Sequence, residues 1–283
     1  MNQAGAPESR RADAGDARAA LQAAARRCAR LVASIEDMAS PVHRSSWTVG
    51  EAAAHLVVAL RGFTDAATGE AGRWREQIPD VGRYPERLGG LNAAPIAAEP
   101  TRDPKAAGHA ITEAADAYLS ATAALPPDHA VPTPWYGPDA TLAVSTATCL
   151  LLGEQVVHGY DIAKAVKQKW PIDAADAVLV FEAIKSMFPI AADPDAIAGL
   201  SATYEIRVGR QSRFAVRIDD GRVEVGAVEG RRIDCHIVAE PVALLLIGYG
   251  RLNQWRAIAG GKVFTWGRKP WLGVRFVGLF FNP

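Results

Sequence analysis

The sequence predicts an α+β protein in which an N-terminal helical portion is followed by a smaller α+β portion. Three observations carry this expectation. Apolar residues recur at three- and four-residue steps as far as about Pro194, the spacing of one buried helix face. Beyond Asp193-Pro194, segments rich in β-formers alternate with turn signals. The charge also divides there: residues 1–195 hold 18 basic against 24 acidic side chains and residues 196–283 hold 13 against 7, although the 283-residue chain is neutral overall.

The first helix is expected from about Glu8 to Met38, where Leu21, Ala24, Cys28, Leu31, Val32, Ile35 and Met38 share a face, with Pro41 ending it. Thr48-Val-Gly-Glu51 then reads as a capping box, since the Thr hydroxyl and the Glu carboxylate can each satisfy an orphaned amide at a helix start. The second helix should run from about Val49 to Ala67. Residues 68–101 show no sustained period and carry Arg83, Arg87 and Asn92, so they read as a long connection with one short helix at most. Asp103-Pro104 combines a cap with an N1 proline and opens a third helix through Leu125.

After a Pro-rich loop, a fourth helix is expected from about Thr141 to Lys167 and, beyond Pro171, a fifth from about Ala174 to Phe188. Strands are expected at Ala202–Val208, Arg213–Ile218, Arg222–Val228 and Arg232–Val238, with Asp219-Asp220-Gly221 as a hairpin turn. Pro241–Tyr249 and Asn253–Ile258 read as short helices, and the tail Lys262–Phe281 as strand-like.

Composition bounds the function. With 49% hydrophobic and 22% charged residues the chain is globular rather than disordered. A neutral chain argues against a uniformly basic nucleic-acid binder. Three isolated cysteines, Cys28, Cys149 and Cys235, give neither a disulfide framework nor a thiolate zinc site. The N-terminus lacks the apolar stretch of a signal peptide, and the run around Thr146–Leu152 is too short to span a bilayer, so a cytoplasmic protein with no membrane partner is expected. Arg outnumbers Lys 24 to 7, as in GC-rich bacterial genomes.

The string Leu152-Gly-Glu154-Gln-Val-Val-His158-Gly-Tyr-Asp161 carries chemistry. Glu154 and His158 lie four apart, so on a helix a carboxylate and an imidazole project from one face and can hold a divalent metal. The spacing also fits a surface hydrogen-bonded pair. Context favours the metal, because an apolar helix seldom carries a glutamate unless it is paired or ligated. His55, within another apolar helix, is a third candidate ligand or a satisfied core histidine.

The string Ser46-Trp-Thr-Val-Gly-Glu-Ala-Ala-Ala-His55-Leu, followed by Glu154-x-x-x-His158-Gly-Tyr-Asp161, resembles the mycothiol-dependent maleylpyruvate isomerase family of DinB-like metal-binding helical bundles. Ile233–Gly261 resembles the sterol-carrier-like C-terminal domain of such proteins. The resemblance implies a DinB-like up-down bundle over 1–192, a sterol-carrier-like domain over 200–283, and a divalent metal, Zn²⁺ by donor type, on His55, Glu154 and His158. It also implies mycothiol as cosubstrate and an actinobacterial source. The thiol would add to a small anionic electrophile such as maleylpyruvate, giving cis–trans isomerisation or S-transfer.

Asp161 could take the free ring proton of His158 or lie solvated on the helix surface. Arg83, Arg87 and Arg251, with Arg268, are candidate clamps for a substrate carboxylate, and Tyr160 and Trp255 are read as core packing or pocket lining. A monomer or homodimer is expected. The alternatives are a non-catalytic carrier of an apolar ligand and a metal-dependent hydrolase.

Overall fold

The computed structural model describes residues 14–42, 45–76, 78, 84–99 and 103–281. The fold is α+β, as expected. Its helices begin with α1 (Ala14–Ala33), whose last turn tightens as Ser34 and Ile35 bond back to Leu31 and Val32. The helix thus stops five residues short of the expected Met38. In α2 (Val49–Thr68) the capping box is complete: Glu51 N–H donates to Thr48 Oγ1 at 3.2 Å and Thr48 N–H to Glu51 Oε2 at 2.7 Å.

The connection that follows is more ordered than its composition suggests. It holds α3 (Gly72–Arg75) and α4 (Tyr84–Ala98), a 15-residue helix with Pro95 inside it, in place of one short helix. Packing of α4 against α2 supports a segment whose own period is weak. In α5 (Pro104–Ala121), Asp103 caps the first turn by accepting from Ala106 N–H at 2.8 Å.

The Pro-rich loop contains a two-stranded ribbon, β1 (Ala130–Pro132) antiparallel to β2 (Thr141–Ala143). It delays α6 (Val144–Ala165), expected from Thr141, by one strand. α7 (Ala174–Ala191) is capped by Asp173 and tolerates Pro189 in its last turn. A single turn, α8 (Pro194–Ile197), then leads to the sheet.

Helices α1, α5, α2 and α6 pack in that order around a ring, each against the next, with α7 outside α6. Leu21, Leu56, Leu60, Ile111, Leu151 and Leu152 fill the centre, fully buried. At full burial each contributes roughly 1.5–3 kcal/mol of transfer free energy. Gly108 lets α1 and α5 approach closely, since a Cβ there would sit 2.5 Å from the Ala29 carbonyl oxygen. Gly159, next to His158, seats the Trp170 indole, which donates to the Val156 carbonyl at 3.0 Å and carries the Arg27 guanidinium 3.7 Å above its ring.

The remaining strands are β3 (Ala202–Val208), β4 (Ser212–Asp219), β5 (Arg222–Gly226), β6 (Cys235–Ala239) and β7 (Val263–Trp266), in spatial order β5-β4-β3-β6-β7. Only β3 and β6 are parallel. The β4–β5 turn places Asp220 and Gly221 at φ 49° and 70°, the left-handed pair that a tight hairpin needs. Between β6 and β7 lie α9 (Pro241–Gly248) and α10 (Gln254–Ala259), the latter capped by Asn253. The tail departs from expectation: after β7 it forms α11 (Trp271–Arg275) and a single 3₁₀ turn. The sheet region packs on α7 through β5 and α9.

Glu205, 2% exposed, sits in the sheet beneath Arg207, Arg213 and His236. Burial alone would raise its carboxyl, but hydrogen bonds from Arg213, Arg207 and His236 outweigh that and hold it at about 2. An unfolded glutamate titrates near about 4.3, so the cluster's stabilisation is complete above about pH 5 and fades as the pH falls toward 2.

Two measurements check this packing. Gly159→Ala sets a methyl carbon 2.2 Å from the Trp170 ring and should cost roughly 1–3 kcal/mol in urea unfolding. Glu205→Gln should lower the urea midpoint at neutral pH and flatten the pH dependence of stability in acid; a variant as stable as the parent at pH 7 refutes the role given to the cluster.

Candidate metal centre

Two helices of the bundle bring the three motif residues together. The capping box fixes where α2 begins, which places His55 two turns in, against α6. Glu154 and His158 project from one face of α6, four residues apart. His55 Nε2 lies 2.9 Å from Glu154 Oε2, and His158 Nε2 lies 3.2 Å from the same oxygen. The three donor atoms all fall within 4.8 Å of one another. Two imidazoles and one carboxylate converging on a point could hold a divalent cation, and among the described residues the group has no fourth such donor.

The charges form an alternating row. Burial works against the Glu154 carboxylate, but hydrogen bonds from His158 and His55 hold it well below the usual carboxylate range. His55, 7% exposed, is lowered by burial, with Glu154 and the Asn92 side chain opposing that shift. Burial also disfavours the His158 cation, yet Asp161 and Glu154 prevail and raise it to about 9. A cation at this point therefore competes with the proton that His158 holds.

Asp161, 2% exposed, places Oδ2 3.5 Å from His158 Nδ1. Arg251 clasps it from the C-terminal region: Nε lies 3.0 Å from Oδ1 and Nη2 lies 2.6 Å from Oδ2, while Nη1 donates to the Tyr249 carbonyl. Trp47 lies beside both imidazoles, its ring centroid 4.8 Å from that of His55 and 5.7 Å from that of His158.

The model of the mycothiol maleylpyruvate isomerase N-terminal domain matches residues 10–163, a span that includes His55, Glu154, His158 and Asp161. The chain belongs to this family. Among solved structures, the mycothiol-dependent maleylpyruvate isomerase aligns at TM-score 0.51 and 11% identity, covering 89% of this chain and 92% of that one. A histidine-to-alanine mutant of the isomerase aligns at TM-score 0.51 and 12% identity over the same shares. At such identities the likeness is one of fold. No curated protein matches the sequence.

Within this family member the two expected arginines whose side chains are described, Arg251 and Arg268, each pair with a carboxylate. Arg251, expected as a substrate clamp, is turned onto Asp161 and a backbone carbonyl, because a buried carboxylate beside it demands a partner. Arg83 lies outside the described residues; Arg87 falls within α4, its side chain outside them. Arg268 pairs with Asp234. Trp255 is neither core nor pocket but 59% exposed, and Tyr160 lies half-buried with the Lys164 ammonium 5.5 Å from its ring. Asp161 is inside rather than solvated. The role of Trp47 went unread, although it stands in the motif preceding His55.

Zinc titration of the family member checks the site. His55→Ala should lower affinity by at least about a hundredfold, and Asp161→Asn or Arg251→Ala by about 10- to 100-fold through loss of ligand orientation. Unchanged affinity in His55→Ala excludes that ligand.

Proposed function

We propose that this chain is a divalent-metal- and mycothiol-dependent enzyme that adds a thiol to an electrophilic carbon, either as an isomerase or as an S-transferase. The observation that carries the reading is the meeting of His55, Glu154 and His158 at one point within the span that matches the family model. These residues would hold the metal, and zinc is the ion we assign. When bound, such an ion supplies Lewis acidity that lowers the pKa of a thiol from its free value of about 8.5.

The chain's own residues prepare the site. Asp161 faces Nδ1 of His158 and favours the tautomer that leaves Nε2 free as a ligand atom. Arg251 keeps Asp161 in place and ionised, so it acts as a positioning residue. Trp47 limits the rotation of both imidazoles by packing beside them.

For an unsaturated carbonyl substrate, sulfur bonds to the β-carbon as the C=C π pair moves toward the carbonyl. In isomerisation the single bond rotates, the pair returns and the C–S bond breaks, releasing the thiol unchanged. In transfer the α-carbon takes up the proton that the thiol gave, and the adduct leaves.

Zinc-loaded protein is expected to turn over maleylpyruvate or a simple enone only with mycothiol present, and to lose more than about 99% of that rate in His55→Ala or after chelation. Full turnover without thiol would favour hydrolysis instead. Failure to bind zinc after reconstitution would remove the enzymatic reading altogether.

A further inference from the structure

A cavity of about 110 Å³ lies between α6, α7, α9 and the C-terminal tail. Its walls include Leu150, Ile184, Leu245, Phe276 and Phe280, and at one side Glu154. The cavity and the candidate metal centre therefore share a residue. No described residue lining it is cationic, and Glu154 is the only charged one among them.

The space is built in rather than left by loose packing. The tail that closes it is held by main-chain hydrogen bonds, Phe281 N–H to the Ala191 carbonyl at 2.7 Å and Asp193 N–H to the Leu279 carbonyl at 3.0 Å. Phe280 also packs on Phe188, with ring centroids 4.7 Å apart.

We propose that this cavity is the subsite for the apolar body of the electrophile, a short alkyl chain whose reactive carbon lies at the Glu154 end. The inference rests on the thiol-addition reading and names its substrate class. Size bears on the occupant: about 110 Å³ is less than the roughly 150 Å³ of an apolar cavity that takes up benzene, which favours a short alkyl chain over a ring. Charge supports it too: away from the triad no described lining residue could pair a substrate carboxylate, which would be desolvated there, whereas an alkyl group gains from the transfer. An anionic group is thus disfavoured within this cavity, against the small anionic electrophile expected from the sequence, and an enone with one apolar substituent is favoured.

The test separates the subsite from the thiol chemistry. Saturated methyl n-alkyl ketones, from butanone to 2-decanone, are titrated calorimetrically into the full chain without metal or thiol. Each added methylene should tighten binding about three- to fourfold until the cavity is full, after which the gain stops. Gly248→Leu occupies a lining position where an added Cβ meets no atom within 4 Å, so it should fold normally. It should weaken the tightest ketone at least tenfold, and Ala191→Leu, at a second lining position, should act alike.

Binding that is independent of chain length, or untouched by both variants, overturns the subsite. The matching alk-3-en-2-ones are then assayed with mycothiol on zinc-loaded protein. Ketone binding without enone consumption supports the cavity and overturns the thiol reading. Enone turnover indifferent to chain length leaves the thiol reading standing and overturns the subsite.

Discussion

A carboxylate on the inner face of an apolar helix sets the terms for the rest of the molecule. Glu154 is flanked along α6 by Leu151, Leu152, Val156 and Val157, all fully buried, and its side chain, 25% exposed, is only partly hydrated, which disfavours its charge unless it is paired. The protein answers with opposite charge at each step outward. His55 and His158 meet the carboxylate, Asp161 meets His158, and Arg251 meets Asp161. Each member is stabilised by the next, so the row ties the bundle centre to the sheet region. A cation at the triad fits the same logic by replacing shared protons with a fixed positive charge.

What the sequence disclosed was the chemistry of short range. Thr48 with Glu51, Asp103 with Pro104, and the Asp-Asp-Gly turn fix their elements through contacts within four residues, so they could be located from the chain alone. The Glu154–His158 spacing is equally local, whereas His55 stood as ligand or core histidine until the likeness of two strings to a known family favoured the ligand. Helix α4 was hidden because Gly89, Gly90 and Pro95 weaken its intrinsic preference, and its support comes from α2 instead. The tail was misread because aromatic residues favour strands in isolation, whereas here Phe276 and Phe280 pack on Phe188 from irregular structure.

The role of Arg251 was beyond reach for the same physical reason. Its partner lies 90 positions earlier, and nothing local distinguishes it from the other arginines of the C-terminal region. The charge count divides at the boundary between the regions, yet several of the C-terminal charges pair among themselves: Glu205 with Arg207 and Arg213, Asp234 with Arg268 and Lys269, Glu240 with Lys262. Much of that charge is therefore engaged inside the region, and an ion pair, Arg251 on Asp161, links it across to the bundle.

That link bears on how such chains can be reassembled by recombination. The family model ends at residue 163, short of the sheet, which presents the bundle as a portable unit. Asp161 makes the unit less portable than its boundary suggests. A different module joined behind the bundle would inherit a carboxylate that is 2% exposed in this chain, and would have to bring its own guanidinium to the same spot or recruit water there. Recombination behind the bundle would thus be constrained by a single ion pair, easiest for a module that places an arginine just beyond a helix, as Arg251 follows α9 here.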